Sequence, residues 1–329
     1  MLLLPNVRTE EDYRLIYRDA DVWLPAMRVI CQRHGLDATQ LEFAPPGTHV
    51  VFQVRPDRYI KLFAPPWRKD FVPEWLVLRR LSEQLDLPVP RLVAEGTVED
   101  WPYVIVTAVE GVPLCQVWHS MDLSDREHIA ASCGGLMAAL HAVPTKGLEA
   151  IAVDWPTFVE SQIQGCTEHL IRSGLDEGWM RAVLEFLDNL PPLFEPGFRP
   201  VLLSADVTDE HILVSQRGGR WELAGFLDFG DAMLGHPHYE FVAPGCCVTR
   251  GSPRLQRAML LAYGYSEDQL DRTLARQLMA YTLLHRFVTV PDLLALFGSQ
   301  RPASFEELGE ALWPFFQVCG WTEAKRVER

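Results

Sequence analysis

The chain has 329 residues, of which 48% are hydrophobic and 22% charged, and its formal net charge at pH 7 is −14. This length accommodates two lobes with sizeable cores. The acidic balance argues against a nucleic-acid partner, because phosphate binding needs a basic face. Seven cysteines without a Cys-x-x-Cys pair disfavour a disulfide framework and a zinc knuckle.

No run of about 18 apolar residues is present, so the sequence predicts no membrane-spanning helix. The first residues contain only a very short apolar run without a basic flank, which is unlike a signal peptide. We therefore expect a cytoplasmic protein with no membrane partner. The sequence does not predict an oligomeric state.

In residues 1–109 the spacing of the apolar residues predicts a helical extension, followed by a small antiparallel sheet with one further helix. Along this region the spacing of the apolar residues changes from the helical period to the period of two that is typical of strands, and later returns to the helical period. The predicted elements, in chain order, are a helix over 21–34, strands over 49–54 and 58–63, a helix over 73–85, and strands over 91–98 and 103–109. This pattern predicts a small, sheet-rich N-terminal lobe over residues 1–109.

Residues 110–329 have mainly helical spacing, interrupted by three short strands. The predicted elements are helices over 124–140, 156–171 and 176–190, strands over 200–203, 211–215 and 221–228, and helices after residues 252, 266 and 304. This pattern predicts a larger, mainly helical C-terminal lobe. The fold class is therefore α+β, with a small sheet lobe followed by a helical lobe.

Two acidic residues of the second lobe, Asp206 and Asp228, each stand at the edge of a short apolar strand. Such an acid points into a cleft or solvent, because burying it unpaired is costly. A glycine two residues after Asp228 permits an abrupt turn. Upstream, Lys61 lies inside an apolar strand, and Glu74 opens the next helix thirteen residues later.

These residues are the set that phosphoryl transfer requires. One carboxylate orients the attacking hydroxyl and takes its proton, a second holds magnesium, and a lysine held by an acid contacts the phosphates. The chain order assigns Asp206 as the catalytic base, and Lys61 held by Glu74 as the phosphate ligand. Asp228 is the predicted metal ligand, and His211, which opens the next strand, is the candidate to help it.

The sequence resembles the aminoglycoside and hygromycin phosphotransferases over about residues 40–245. Asp228 and the Phe-Gly that follows it resemble the magnesium loop of protein-kinase-like enzymes. Residues 204–211 occupy the place of the family's His-Gly-Asp-x-x-x-x-Asn catalytic loop, and residues 101–114 resemble its hinge. The resemblance implies a bilobal protein-kinase-like fold, with residues 1–109 as the N-terminal nucleotide-binding lobe and residues 110–329 as the C-terminal catalytic and substrate lobe. It further implies adenine contacts near Thr107 and Val109. It also implies ATP with Mg²⁺, or Mn²⁺ as an alternative, and transfer to a hydroxyl of a small molecule, with an aminoglycoside-like antibiotic as a candidate.

The chain departs from the family pattern at the catalytic loop and at the phosphate loop. The family's His-Gly is Ser204-Ala205 here, and His211 replaces an asparagine whose amide oxygen suits magnesium better than a histidine nitrogen. The phosphate loop over residues 44–49 contains one glycine, Gly47. These departures keep an alternative open, in which the chain is a kinase-fold binding protein that has lost catalysis.

Each site residue also has a purely structural interpretation. Lys61 alone would be an edge-strand lysine that reaches water, and Glu74 alone a first-turn acid that complements the helix dipole. His211 would be a histidine hydrogen-bonded in the cleft. His141, at a helix end, is interpreted as structural.

Other acids and histidines suggest two further hypotheses. His236, His238 and Glu240 leave a metallohydrolase open, although the helical His-x-x-x-His spacing is absent. The acidic chain would suit a cationic small-molecule substrate, with solvated surface as the alternative for each acid. The acidic candidates to meet such a substrate are Asp209, Glu210, Asp231 and Glu240.

Overall fold

The computed structural model describes residues 2–44, 47–54, 56–82 and 87–316. It divides into two compact units. Unit 1 contains Met1–Glu110 and Gly225–Ala232, and unit 2 contains Gly111–Ala224 and Met233–Arg329. The short segment that carries Asp228 therefore belongs to the same unit as Lys61, whereas a division at residue 109 assigns it to the second lobe.

Unit 1 is built on a five-stranded antiparallel sheet with the strand order β1-β2-β3-β5-β4. Its strands are β1 (Leu41–Phe43), β2 (Val50–Val54), β3 (Arg58–Leu62), β4 (Leu92–Val98) and β5 (Trp101–Thr107). Alternate residues of β2 are buried, which is the period of two predicted from the sequence. The register places Lys61 of β3 opposite Val51 on one side and Val104 on the other.

Three α-helices accompany this sheet, α1 (Glu10–Ile16), α2 (Ala20–His34) and α3 (Phe71–Leu81). The extension packs on the sheet through Trp23 and Ile30, which join a core with Phe52 and Ile105. Burying such side chains contributes about 1.5–3 kcal/mol each. The prediction of a helix over 73–85 is confirmed by α3, which begins two residues earlier; residues 83–86 lie outside the described part of the chain.

Unit 2 is mainly helical, as predicted. Its helices are α4 (Leu114–Val117), α5 (Leu123–His141), α6 (Trp155–Arg172), α7 (Glu177–Asp188), α8 (Val242–Pro244), α9 (Pro253–Tyr263), α10 (Arg272–Leu283), α11 (Val290–Ala295) and α12 (Phe305–Leu312). The first turns of α5 and α6 are capped by Asp122 and Asp154, whose side chains accept backbone N–H groups.

The remaining strands form two small sheets. They are β6 (Val112–Pro113), β7 (Val201–Leu203), β8 (Ile212–Arg217), β9 (Arg220–Phe226) and β10 (Met233–Gly235). The order is β6-β8-β9 in one sheet, and β7 pairs with β10 in the other. The predicted α+β class, with an antiparallel sheet region and a mainly helical remainder, is confirmed. In the described part of the chain, no helix combines the length and apolar character that a bilayer crossing requires.

Candidate active site

Lys61 lies between two carboxylates in unit 1. Its Nζ donates to Asp228 Oδ1 at 2.9 Å and to Glu74 Oε2 at 3.3 Å. Lys61 is 8% exposed and Glu74 is 5% exposed. Burial opposes the charged ammonium, but the two carboxylates outweigh it and raise the pKa of Lys61. Because removing one member of a buried ion pair typically costs about 3–5 kcal/mol, this arrangement fixes all three side chains.

The loop after β9 is held in place by the same glutamate. Glu74 Oε2 accepts the N–H of Phe229 at 2.7 Å, and Asp228 Oδ1 accepts the N–H of Gly230 at 3.0 Å. Asp228 has a φ of 68°, in the left-handed region that aspartate tolerates better than most residues. A Cβ on Gly230 would lie 3.2 Å from the Cβ of Asp70, so this turn leaves little room for a larger residue. The carboxylate of Asp228 is thus rigidly positioned beside Lys61.

His49 and Asp70 extend this centre, and the sequence did not single them out as functional. His49 Nε2 lies 3.5 Å from Asp70 Oδ2. Burial lowers the pKa of His49 to about 3, so its imidazole is neutral at pH 7. Burial and the nearby Asp231 carboxylate together raise the pKa of Asp70 to about 6. The only sequence signal was the position of His49 at the end of the phosphate loop.

The predicted adenine-binding hinge follows β5. The hydroxyl of Thr107 accepts the N–H of Arg91 at 2.9 Å, and the N–H of Thr107 donates to the carbonyl of Arg91 at 2.9 Å. A Cβ on Gly225 would lie 2.2 Å from Val109 Cγ1, so a glycine is needed where β9 passes Val109. Thr107 therefore has a structural role between β5 and the start of β4. The adenine contacts at Thr107 and Val109 stay a prediction.

Asp206 lies in unit 2, in the loop between β7 and β8. Its N–H donates to Ser204 Oγ at 3.3 Å. His211 Nδ1 lies 3.1 Å from the carbonyl oxygen of Asp206 and 3.2 Å from its carboxylate Oδ2. A ring nitrogen that faces two oxygens acts as a donor. His211 thus steadies Asp206, whose side chain is one quarter exposed.

Ala205, the residue before Asp206, has an unusual backbone conformation. Its φ is 61°, in the left-handed region, which costs a residue with a Cβ about 1–2 kcal/mol. Its N–H donates to Glu240 Oε1 at 3.1 Å. Glu240 is 1% exposed, so it is neither the surface acid nor the contact to a cationic substrate that the sequence suggested. Both of those expectations for Glu240 were wrong, because its buried carboxylate accepts a hydrogen bond from the backbone N–H of Ala205.

His236 and His238 do not support the metallohydrolase hypothesis. Burial lowers the pKa of His236 to about 4 and that of His238 to about 3. His236 Nδ1 accepts the N–H of His238 at 3.3 Å, so that nitrogen has a structural partner. Over residues 2–44, 47–54, 56–82 and 87–316, no three His, Cys, Asp or Glu side chains are grouped to hold a metal ion.

The predicted magnesium ligands fit that ion unequally. Asp228 offers the carboxylate oxygens that Mg²⁺ prefers. His211 offers a nitrogen, which suits Mg²⁺ less well, and its Nδ1 faces Asp206. The residues of unit 1 therefore fit a hard cation at Asp228, and the role of His211 as a metal ligand stays a prediction.

The fold is that of the protein-kinase-like phosphotransferases. The GDP complex of aminoglycoside 2'-phosphotransferase-IIIa matches with a TM-score of 0.66 at 18% identity, over 89% of this chain and 97% of that one. The streptomycin–ATP complex of APH(2")-IIa matches with a TM-score of 0.59 at 16% identity, over 91% and 96%. Macrolide 2'-phosphotransferase from Brachybacterium faecium matches with a TM-score of 0.56 at 20% identity, over 88% and 98%.

The sequence itself also matches a family. Residues 41–288, which are most of the chain, match the phosphotransferase enzyme family. The chain therefore belongs to this family, and the resemblance seen in the motifs is confirmed. No curated protein sequence matches the chain significantly.

Proposed function

We propose that this protein transfers the γ-phosphate of ATP to a hydroxyl group of a small molecule. The observation that carries the proposal is the buried ammonium of Lys61 between the carboxylates of Asp228 and Glu74. A fixed lysine beside a metal-binding carboxylate is the phosphate-binding half of a phosphoryl-transfer site. Membership of the phosphotransferase enzyme family supports the same reaction class.

Each side chain has a specific task in this proposal. Lys61 contacts the phosphates and is held by Glu74. Asp228 holds Mg²⁺, which when bound neutralises charge on the phosphates. Asp206 accepts a hydrogen bond from the acceptor hydroxyl and takes its proton, which typically contributes 10²–10⁴-fold in rate. A cytoplasmic location, where ATP is available, accords with this reaction.

The acceptor is a small molecule, and its charge is open to experiment. Solved neighbours were determined with kanamycin, streptomycin and gentamicin, which keeps an aminoglycoside as one candidate. However, Asp209 forms an ion pair with Arg250 at 2.9 Å, and Glu240 is buried. Glu210 is the acid of this loop that is exposed. Because so few acids are available to bind a polycation, the compounds tested as acceptors must include neutral hydroxyl compounds as well as polycations.

A second candidate is a kinase-fold protein that binds nucleotide without catalysis. The observation that favours it is the altered catalytic loop, with Ser204, Ala205 and His211 in place of the family's residues. In this case nucleotide with Mg²⁺ would stabilise the protein by mass action, but no acceptor would be phosphorylated.

The decisive experiment compares the wild type with Asp206→Asn. We expect wild-type protein to release nucleoside diphosphate with ATP, Mg²⁺ and a member of the hydroxyl panel, and the variant to be about 10²–10⁴-fold slower. Both proteins should show the same melting-point rise with nucleotide and metal. The matched control Asp188→Asn changes an exposed acid and should keep full activity. Equal activity of Asp206→Asn would remove Asp206 from the mechanism, and nucleotide binding without turnover would favour the second candidate.

A further inference from the structure

A turn of π-helix in unit 2 ends at Arg250. The turn covers Gly245–Thr249, and turns of this kind occur frequently at functional sites. Arg250 itself has a φ of 48° and a ψ of 41°, in the left-handed region that residues with a Cβ rarely adopt. A backbone outlier of this kind persists only where the surrounding structure holds it, so the contacts of the Arg250 side chain indicate a task for this turn.

The guanidinium of Arg250 is fixed at one end and open at the other. Its Nε donates to the carbonyl oxygen of Cys247 at 2.8 Å, and its Nη2 donates to Asp209 Oδ2 at 2.9 Å. The main chain of Asp209 is held as well, since its carbonyl oxygen accepts the N–H of Cys115 at 3.0 Å. The side chain of Asp209 is 14% exposed and that of Arg250 is 43% exposed. Among the described residues the guanidinium has no further partner, so its remaining N–H groups are available to a ligand.

Asp209 belongs to the same loop as the candidate base Asp206. The loop turns back on itself directly after Asp206, whose carbonyl oxygen accepts the N–H of Thr208 at 2.9 Å. Burial and, to a smaller degree, the carboxylates of Asp209 and Asp206 raise the pKa of the Cys247 thiol to about 12, which agrees with this placement. Arg250 therefore lies beside the loop that carries Asp206.

The ion pair between Arg250 and Asp209 changes what this part of the loop can bind. A carboxylate that already accepts a hydrogen bond from a guanidinium attracts a second cation less, and the guanidinium repels that cation. The open N–H groups of the guanidinium, by contrast, donate to oxygen atoms of hydroxyl, carbonyl or carboxylate groups. Repulsion of the wrong ligand is a common basis of specificity. The pair thus favours an acceptor without positive charge at this position.

We propose that Arg250 is a specificity-determining residue of the acceptor site. It neutralises Asp209 and selects an acceptor whose group next to the reacting hydroxyl is a neutral or anionic oxygen group rather than an amine. This inference rests on the proposed phosphotransferase function, because it names the class of acceptor for that reaction.

The test measures the binding of kanamycin, a polycation with several amines on hydroxylated rings, by titration calorimetry at low salt. We expect Arg250→Gln to bind kanamycin about tenfold more tightly than the wild type, because Asp209 then accepts a charged hydrogen bond from the ligand. The double variant Asp209→Asn with Arg250→Gln should lose this gain. Arg250→Lys keeps the positive charge and should bind kanamycin as weakly as the wild type.

The matched control is Arg254→Gln, which removes one positive charge from the ion pair that Arg254 forms with Glu127 at 2.6 Å. It changes the net charge of the chain by the same amount, so it measures any general attraction of kanamycin to a more acidic protein. We expect no gain in binding from this control. The inference would be overturned by an equal gain in the control, by a gain that persists in the double variant, or by an Arg250→Gln protein that binds no more tightly than the wild type.

A purely structural role for Arg250 predicts a different result. Arg250→Gln would then lower the melting point without changing kanamycin binding, and the inference would be wrong. Exposed ion pairs contribute little to stability, so we expect this variant to fold. If it does not fold, Asp209→Asn tests the pair from the other side. That variant leaves the guanidinium unopposed, so glucuronate, a hydroxylated carboxylate, should bind about tenfold more tightly than to the wild type. Unchanged glucuronate binding would contradict the proposal.

Binding also separates this inference from the proposed function. If the wild type phosphorylates no member of the hydroxyl panel, the phosphotransferase proposal fails, whereas kanamycin binding still decides the role of Arg250. If the wild type phosphorylates a neutral or anionic acceptor, Arg250→Gln should raise the KM for that acceptor about tenfold and leave kcat within about twofold. An unchanged KM, or a wild type that prefers an amine-rich acceptor, would overturn the inference and leave the phosphotransferase proposal intact.

Discussion

The candidate functional residues of unit 1 and those of unit 2 are stabilised in different ways. In unit 1, a lysine and two carboxylates contact one another directly, and Glu74 also accepts the N–H of Phe229. In unit 2, Asp206 stands in a loop whose preceding peptide is strained and is held by the buried Glu240. The first arrangement depends on opposite charges, and the second on hydrogen bonds to the backbone.

This difference explains where the chain tolerates departures from its family. The charged residues of unit 1 cannot change singly, because each would leave a buried charge without its partner. The loop of unit 2 departs from the family pattern at residues 204, 205 and 211. Its contacts are made by Ser204 and His211 within the loop and by Glu240 from outside it. A backbone held by several weaker contacts can exchange them one at a time.

The largest expected effect comes from breaking the charged centre. Lys61→Met should lower kcat/KM for nucleotide by about 10²–10³-fold, since it removes a donor aimed at developing charge. It should also lower the stability of unit 1 by about 3–5 kcal/mol, because Glu74 would be buried without a cation. Steady-state kinetics and thermal unfolding measure the two effects on the same preparation.

The control for this change is Lys69→Met, which removes an exposed lysine eight positions later in the chain. It should leave both the kinetics and the melting point unchanged. Adding Glu74→Gln to Lys61→Met should restore part of the stability but none of the activity, because it removes the unpaired charge without replacing the lysine. A Lys61→Met protein as stable as the wild type would contradict the view that charge pairing holds this centre together.

The sequence predicted the parts of the site that local spacing determines. Lys61 was recognised because it interrupts an apolar strand, and Glu74 because it opens the next helix. The Lys61–Asp228 bond spans 167 residues, and only the order of the motifs suggested it. Nothing in the sequence predicted the contact between Glu240 and Ala205. A glutamate between Tyr239 and Phe241 is equally compatible with an exposed position, so its burial could not be inferred from the sequence.

The fold was predictable to a similar extent. The period of two identified β2 and β3, and apolar spacing identified α3 and α5. The grouping of Gly225–Ala232 with unit 1 had no counterpart in the sequence pattern. Composition and periodicity describe one segment at a time, whereas this grouping depends on which distant segments pack together.

In unit 2, the substitution His211→Asn tests whether His211 positions Asp206 or binds the metal, because it restores the residue typical of the family. In the structure, His211 Nδ1 contacts Asp206, so we expect kcat to fall several-fold with Mg²⁺ and with Mn²⁺ alike. Rates measured at saturating nucleotide with each metal test this. If His211 is instead a metal ligand, the amide oxygen should raise the ratio of the Mg²⁺ rate to the Mn²⁺ rate, because Mg²⁺ prefers oxygen ligands.

The smallest expected effect is the pH dependence of stability, to which His238 and Asp70 contribute with opposite signs. Burial lowers the pKa of His238 in unit 2 from 6.5 to about 3, so the unfolded chain binds this proton more readily. Its contribution is complete above about pH 6.5 and is lost as the pH falls, by at most about 1.4 kcal/mol per pH unit. Burial raises the pKa of Asp70 in unit 1 from 3.8 to about 6, so its contribution is complete below about pH 4 and is lost as the pH rises through 6.

Melting points measured between pH 4.5 and 6.5 at constant ionic strength separate these two groups. His238→Phe should make the loss of stability on acidification shallower, because the histidine no longer takes up a proton on unfolding. Asp70→Asn should make the same loss steeper, because the opposing contribution is removed. Each change should shift the slope by a few degrees per pH unit at most. Slopes that move in the same direction in both variants would mean that His238 and Asp70 do not differ in the sign of their proton linkage.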